Sequence, residues 1–331
     1  MPKPTSIYDV AAQVGVSPRS ISRYFNHPAM LSEATRTRIT EEIARTGFRP
    51  SSLAHRLSKG QFDTVAVLAS AREDSLGDLH RMTLSHLGIE VARHGRDLLL
   101  IGVDHDNEDR VIAEHFRQSK LDGLILLNQV SPRICAAISE AGLRSISLNW
   151  RPTDMPNNRY VGIDYVHSAH EFATALLTRR PVKRVVYATI MDPENFCNQL
   201  RSQGVSAAAQ AAGIPCTPFW VAAEPERPIW THDTFKALLE LVEPDTLVMC
   251  WSDHIAIELL GAAHRAGIAV PDRFAVAGFD GIAFGRLVHP TLTTAVQPWL
   301  HMAGQATDLL LTNSQRREII LPISIYWGGS C

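Results

Sequence analysis

Two arginines one helical turn apart, Arg19 and Arg23, follow a Ser17-Pro18 start, and this is the most chemically pointed spacing in the chain. A planar guanidinium can bond bidentately to guanine O6 and N7, whereas a hydroxyl such as that of Ser20 more naturally meets a phosphate. Side chains of this kind need a rigid carrier. Ser17 suits a helix N-cap and Pro18 the first helical position, where its fixed φ helps and its missing N–H costs nothing. Ile21 and Phe25 then supply an inward stripe, which leaves Arg19, Ser20 and Arg23 facing outward. Ahead of them, Ile7, Val10, Ala11 and Val14 recur at helical spacing after Ser6, and Gly15 stands where the chain must leave that helix. A third helix is expected to begin at Ser32 with Glu33 in its first turn, to run through Ile39, Ile43 and Ala44, and to end at Gly47. The first two have helix-turn-helix spacing, in which the second helix lies in the major groove with its first residues at base edges.

Charge supports this reading of the first sixty residues. Of the 32 Lys/Arg and 34 Asp/Glu in the 331-residue chain, residues 1–60 hold nine bases and four acids, so a basic head precedes an acidic body. Such asymmetry points to a polyanion as partner of the head alone. The 45% apolar and 20% charged composition excludes disorder and a disulfide mini-scaffold. The five cysteines, Cys135, Cys197, Cys216, Cys250 and Cys331, contain no C-x-x-C pair and are expected to be reduced thiols. No apolar run reaches membrane-spanning length and no secretory signal precedes the first helix, so a cytoplasmic protein with no membrane partner is expected.

From residue 64 onward apolar strands alternate with helical patterns: Thr64 to Ala69, a helix near Leu79 to His94, Leu98 to Val103, Gly123 to Leu127, Ser145 to Leu148, Tyr160 to Ile163, Arg184 to Ala188, Leu247 to Cys250 and Phe274 to Gly278. Continuous apolar strands between helices mean parallel sheets covered on both faces, and a break near residue 162 suggests two of them. Ligands in doubly wound α/β architecture sit beyond the carboxyl ends of the strands, here the cleft between two subdomains. The same architecture could carry a dehydrogenase, but there is neither a G-x-G-x-x-G nor a G-x-x-x-x-G-K-[ST], and no G-x-S-x-G elbow. His167, His170 and Glu171 share a helix face without a third metal ligand by spacing, so a solvated face is expected rather than a metal site. No catalytic residue and no cofactor are assigned.

Several strings resemble the lactose-repressor (LacI/GalR) family of bacterial regulators. In the head they are Ile-Tyr-Asp-Val-Ala (7–11), Val-Gly-Val-Ser (14–17), Ser-Ile-Ser-Arg (20–23), Asn26 and Gly-Phe-Arg-Pro-Ser (47–51). In the body they are Ala266-Gly267-Ile268, Val270-Pro271-Asp272, residues 274–280, Pro290-Thr291-Leu292-Thr293-Thr294 and Gln297-Pro298, and Leu321-Pro322 lies where that family begins its last strand. The resemblance implies an N-terminal all-α helix-turn-helix head (1–50), a hinge helix (51–61), and a two-subdomain α/β body (62–331) similar to periplasmic sugar-binding proteins. It places one subdomain at 62–162 plus 292–322 and the other at 163–291 plus 323–331. Ser6, Tyr8, Ser17, Pro18, Ser20 and Asn26 would then contact or position the DNA backbone, with Arg19 and Arg23 at the bases. Leu57, with Ala54 one turn earlier, would wedge a central minor-groove step.

In the body the resemblance gives Arg201, in Arg-Ser-Gln-Gly, a guanidinium that forks onto ligand oxygens, and Asp280 the role of acceptor for ligand hydroxyls. Asn149 and Asp253 match further cleft positions, and Trp150 or Trp251 could stack on a sugar face or belong to the core. The implied protein is a homodimeric repressor that reads a pseudo-palindromic operator and is controlled by a sugar, polyol or sugar acid. A corepressor-dependent regulator binding a nucleobase or another metabolite uses the same parts, and a solute-binding protein or an enzyme shares the body. Ser168, Thr178-Arg179-Arg180-Pro181 and Trp327 depart from the family pattern, so no relative's particular sugar carries over.

Overall fold

Helix caps set the head. The computed structural model describes residues 6–48, 62–70, 78–117, 121–152, 154–190, 196–222 and 228–331, and divides into two units, Met1–Phe62 and Asp63–Cys331. Helix α1 (Ile7–Val14) starts in a capping box, with Ser6 Oγ accepting from the Asp9 amide and Asp9 Oδ2 accepting from the Ser6 amide. It ends at Gly15, whose φ of 68° is left-handed. Helix α2 (Pro18–Asn26) is capped by Ser17, with Pro18 in its first turn. Helix α3 (Glu33–Thr46) runs from the Ser32 cap to Gly47, at φ 63°. Val10, Ala11, Val14, Ile21, Ile39 and Phe48 close a small apolar core. Phe25 does not join it as the stripe predicted: it is 39% exposed, at the edge of a core too small to cover it, and leans on Phe48. Tyr24 is half-buried instead, its hydroxyl bonded to Thr40 Oγ1 at 2.7 Å. The expected hinge, with Ala54 and Leu57, lies outside the described residues.

In the body, strand β1 (Thr64–Ser70) is followed by α4 (Asp78–Arg93), β2 (Asp97–Val103), β3 (Gly123–Leu126), α5 (Pro132–Glu140), β4 (Ser145–Leu148) and β5 (Arg159–Gly162). Then come α6 (Tyr165–Arg179), β6 (Arg184–Ile190), α7 (Phe196–Ala211), β7 (Cys216–Val221), α8 (His232–Leu241), β8 (Thr246–Cys250), α9 (Asp253–Arg265) and β9 (Ala275–Asp280). The chain finishes with β10 (Thr293–Val296), α10 (Trp299–Leu311), β11 (Glu318–Ile320) and β12 (Ser324–Tyr326). Two six-stranded sheets result, ordered β11-β5-β4-β3-β1-β2 and β12-β10-β9-β8-β6-β7. All pairings are parallel except β10 with β12. The apolar runs lack alternation because both faces are covered: Val65 and Val67 pack with Leu87 and Val91 of α4, while Ala66 and Leu68 pack with Ile134 and Ile138 of α5.

The chain passes between the sheets after β5, after β10 and after β11. The second passage falls at Gln297–Pro298, not ahead of residue 292 as expected, because Thr293–Val296 pairs with β9 and belongs to the second sheet. Leu321 and Pro322 likewise lie between β11 and β12 and do not begin a strand. The edge strand β7 begins Cys-Thr-Pro and is apolar only from Phe219 to Val221, with Trp220 52% exposed, so it lacks the longer apolar run of the central strands.

Candidate functional site

On the head, α2 holds Arg19, Ser22 and Arg23 exposed, opposite its buried Ile21. The serines named with them do structural duty as well. Ser17 Oγ accepts from the Ser20 amide at 3.1 Å and lies 2.9 Å from Ser20 Oγ, and Ser6 Oγ donates to Asp9 Oδ2 at 2.7 Å. These bonds fix where α1 and α2 begin, and so fix the direction in which the α2 arginines project. Tyr8 is 71% exposed on α1, Pro18 is half-buried at the start of α2, and Asn26 falls in the last turn of α2.

In the body, Arg201 and Asp280 meet as expected. Arg201 Nη2 donates to Asp280 Oδ1 at 2.9 Å, with the two residues only 4% and 8% exposed. The other arm of the guanidinium donates to the Trp251 carbonyl, so the fork expected for a ligand is occupied by the chain itself. Gly204, one turn along α7, permits this placement: a Cβ there would stand 2.3 Å from the Val166 carbonyl, so only glycine lets α7 lie this close to α6. That brings the Arg201 guanidinium to 5.2 Å from the Tyr165 ring and 4.1 Å from the Phe279 ring.

A polar chain links the two sheets through the second passage. Asn149, at the end of β4 with φ 55°, accepts from the Ile163 amide at 3.1 Å and donates to Gln297 Oε1 at 2.7 Å. Gln297 Nε2 donates in turn to Asp280 Oδ1 at 2.8 Å. Asp280 holds this position with φ 129°, a strained conformation for a residue with a side chain. Gln297 belongs to the Gln297-Pro298 string, and its signal is a polar residue at the carboxyl end of a strand, where doubly wound sheets hold ligands.

Asp253 is fully buried at the start of α9. Its Oδ2 accepts from the Gly281 and Ile282 amides at 2.8 Å each, and its Oδ1 from Thr294 Oγ1 at 2.5 Å. Burial, and then the charge of Asp280, push its carboxyl up to about 7. Burial raises Asp280 too, against the pull of Arg201 and Gln297. Burial is the largest influence on Arg201 and opposes its charge, but Asp280 together with Tyr165, Cys197 and Tyr187 outweighs it and the guanidinium is held above its ordinary value. One guanidinium among two buried carboxylates leaves a negative excess that a proton on Asp253 relieves.

Trp150 stands apart from this network. It lines a cavity of about 290 Å³ with Gln129 and Cys135 of the first lobe and with Phe196 and Gln199 of α7, at the carboxyl ends of β3 and β4. Trp251 is half-buried against Arg201, with its Nε1 unpartnered. Arg201 Nε and the Tyr187 hydroxyl are also buried without an acceptor within the described residues.

Comparison with known proteins agrees at both ends. Residues 6–51 match the description "Bacterial regulatory proteins, lacI family", and residues 174–331 match "Periplasmic binding protein-like domain". The chain thus carries a lacI-family helix-turn-helix head and a periplasmic-binding-protein-like domain. The HTH-type transcriptional repressor CytR of Escherichia coli (strain K12) is 27% identical over 94% of this chain and 90% of its own length. Catabolite control protein A of Priestia megaterium is 24% identical over 95% of this chain and 94% of its own. The Lac repressor dimer bound to operator and the anti-inducer ONPF shares the fold, with a TM-score of 0.81 at 18% identity over 99% of both chains. With these two domains the chain is a DNA-binding transcriptional regulator with a two-sheet body like those of periplasmic binding proteins. Among the described residues no helix is long and apolar enough to cross a membrane.

Proposed function

We propose that the protein is a cytoplasmic homodimeric repressor whose two heads read a pseudo-palindromic operator and whose body binds an oxygen-rich small molecule. The exposed Arg19 and Arg23 on α2, held by the Ser17 cap, carry this reading. Tyr8, Ser6, Ser17, Pro18, Ser20 and Asn26 position the head on the backbone, and Ala54 and Leu57 act at the operator centre. Dimerisation is supported by apolar side chains exposed on the first sheet's side of the body, among the described residues Met82 and Ile89 on α4 and Leu99 and Leu100 on the edge strand β2.

A sugar, polyol or sugar acid suits the body, because Arg201 Nε, Trp251 Nε1 and the Tyr187 hydroxyl ask for oxygen acceptors close to the Asp280 carboxylate. Trp150 offers an aromatic face in the open cavity. Ligand that engages Asn149, Gln297, Asp280 and Arg201 acts on both lobes at once, and it shifts operator affinity to the extent that it prefers one arrangement of the lobes. A transcriptional regulator CelR bound to cellobiose, with a TM-score of 0.67 at 22% identity, shows such a ligand on a related fold.

Mapping the genomic DNA bound by the purified protein at about 150 mM salt tests this directly, since non-specific phosphate binding is weakened there. A motif of two inverted half-sites is the expected result. Sequence-blind, salt-sensitive binding would overturn the reading.

A further inference from the structure

The first lobe holds a second cavity, of about 240 Å³, at the other end of its sheet. Its walls are the turn from α5 into β4 and the segment 155–159 leading into β5, so it lies at the amino ends of strands whose carboxyl ends face the cleft. None of the cleft residues named above lines it. Ile138, Leu143, Met155 and Leu310 make an apolar floor.

The rim is basic without compensation. Arg144 and Arg159 line the cavity, no Asp or Glu does, and among the described residues neither arginine is in an ion pair. Arg159 is held by backbone carbonyls, those of Leu309 and Ser314. Arg317 adds a third guanidinium, donating to the Pro156 carbonyl at 3.4 Å. The carboxyl end of α5 would oppose an anion, but its carbonyls at Ala137, Ile138 and Ser139 already accept from the amides of Ala141, Leu143 and Gly142.

Asn158 adds a polarity of the opposite kind. Its Nδ2 donates to the Arg159 carbonyl at 2.7 Å and to Ser147 Oγ at 2.9 Å. A carbonyl can only accept, so the amide orientation is fixed and Oδ1 is left buried with no donor among the described residues.

We propose that this cavity is a second ligand site, for a small phosphorylated or carboxylated polyol. The guanidiniums meet the anionic group, Asn158 Oδ1 accepts from a hydroxyl, and the floor covers the carbon skeleton. The volume lies below the roughly 300–1,000 Å³ of drug-sized pockets, so the ligand is a small metabolite. The proposal does not depend on what the cleft binds.

Met155 is a built-in reporter, buried in the cavity wall. The full-length protein, labelled with ¹³C-methyl methionine and assigned through Met155→Leu, is titrated with glycerol 3-phosphate and, in parallel, with glycerol. The expected result is a saturable shift of the Met155 methyl with glycerol 3-phosphate alone, weakened about tenfold by Arg144→Gln. Arg144 is exposed and its side chain makes no bond among the described residues, so that variant folds. The cleft substitution Trp150→Ala leaves the titration in place. No saturable shift, an equal shift in Arg144→Gln, or a Met155 response to duplex DNA but not to glycerol 3-phosphate would each overturn the proposal.

Discussion

Arg19 and Arg23 stand exposed on a head whose buried residues, among those described, are all apolar, whereas Arg201 lies 4% exposed in the body with its guanidinium tied to Asp280 and to the Trp251 carbonyl. Arg19 and Arg23 keep their charge in water, where it costs little folding energy. The body takes charge out of water, where each ion must be answered by a neighbour. The lesson concerns what a ligand finds on arrival. On the proposed reading DNA would meet exposed groups on a preset helix, while a cleft ligand would meet groups already tied to one another and could gain by accepting from the donors left over, Arg201 Nε, Trp251 Nε1 and the Tyr187 hydroxyl.

The largest expected effect breaks the body side of this contrast. Arg201→Ala leaves Asp280 buried without its partner and should cost the body about 3–5 kcal/mol of stability, read by urea denaturation of the full chain. A loss near zero would mean that the pair is not held as the geometry shows.

Asp253 sharpens the same side. Its folded pKa of about 7 lies above the ordinary carboxyl value, so the folded state holds this proton more tightly than the unfolded chain does. The stability it contributes is present in full below about pH 4 and is lost as pH rises towards 7. Asp253→Asn imitates the protonated acid, so between pH 4 and 7 wild type should lose about 3 kcal/mol relative to the variant. Parallel stability curves across that window would show that Asp253 stays ionised.

The two regions also differed in how far their residues announced them. The head was legible almost residue by residue, because Ser6, Ser17 and Ser32 cap helices through local bonds and Gly15 and Gly47 end them locally. The sheets were legible from their apolar runs. The cleft was legible only as a set of residue types. Spacing does not say that Arg201 spends its fork on Asp280 and on a carbonyl fifty residues away, or that Gln297 joins Asn149 to Asp280 across 148 residues of sequence. The edge strand β7 and the short β11 and β12 escaped because they bury too little to require an apolar pattern, and the buried β10 escaped because Thr293-Thr294 breaks its apolar run.

The smallest effect belongs to the head and bears most directly on the account, since Arg23 sits in water with no structural duty assigned to it. Wild type and Arg23→Ala should unfold alike and differ in operator binding. The measurement is the affinity for the mapped operator divided by that for random duplex, both at about 150 mM salt. A ratio lowered by the equivalent of about 1–3 kcal/mol, with stability unchanged, is the predicted result. An unchanged ratio would contradict the claim that this exposed helix reads bases.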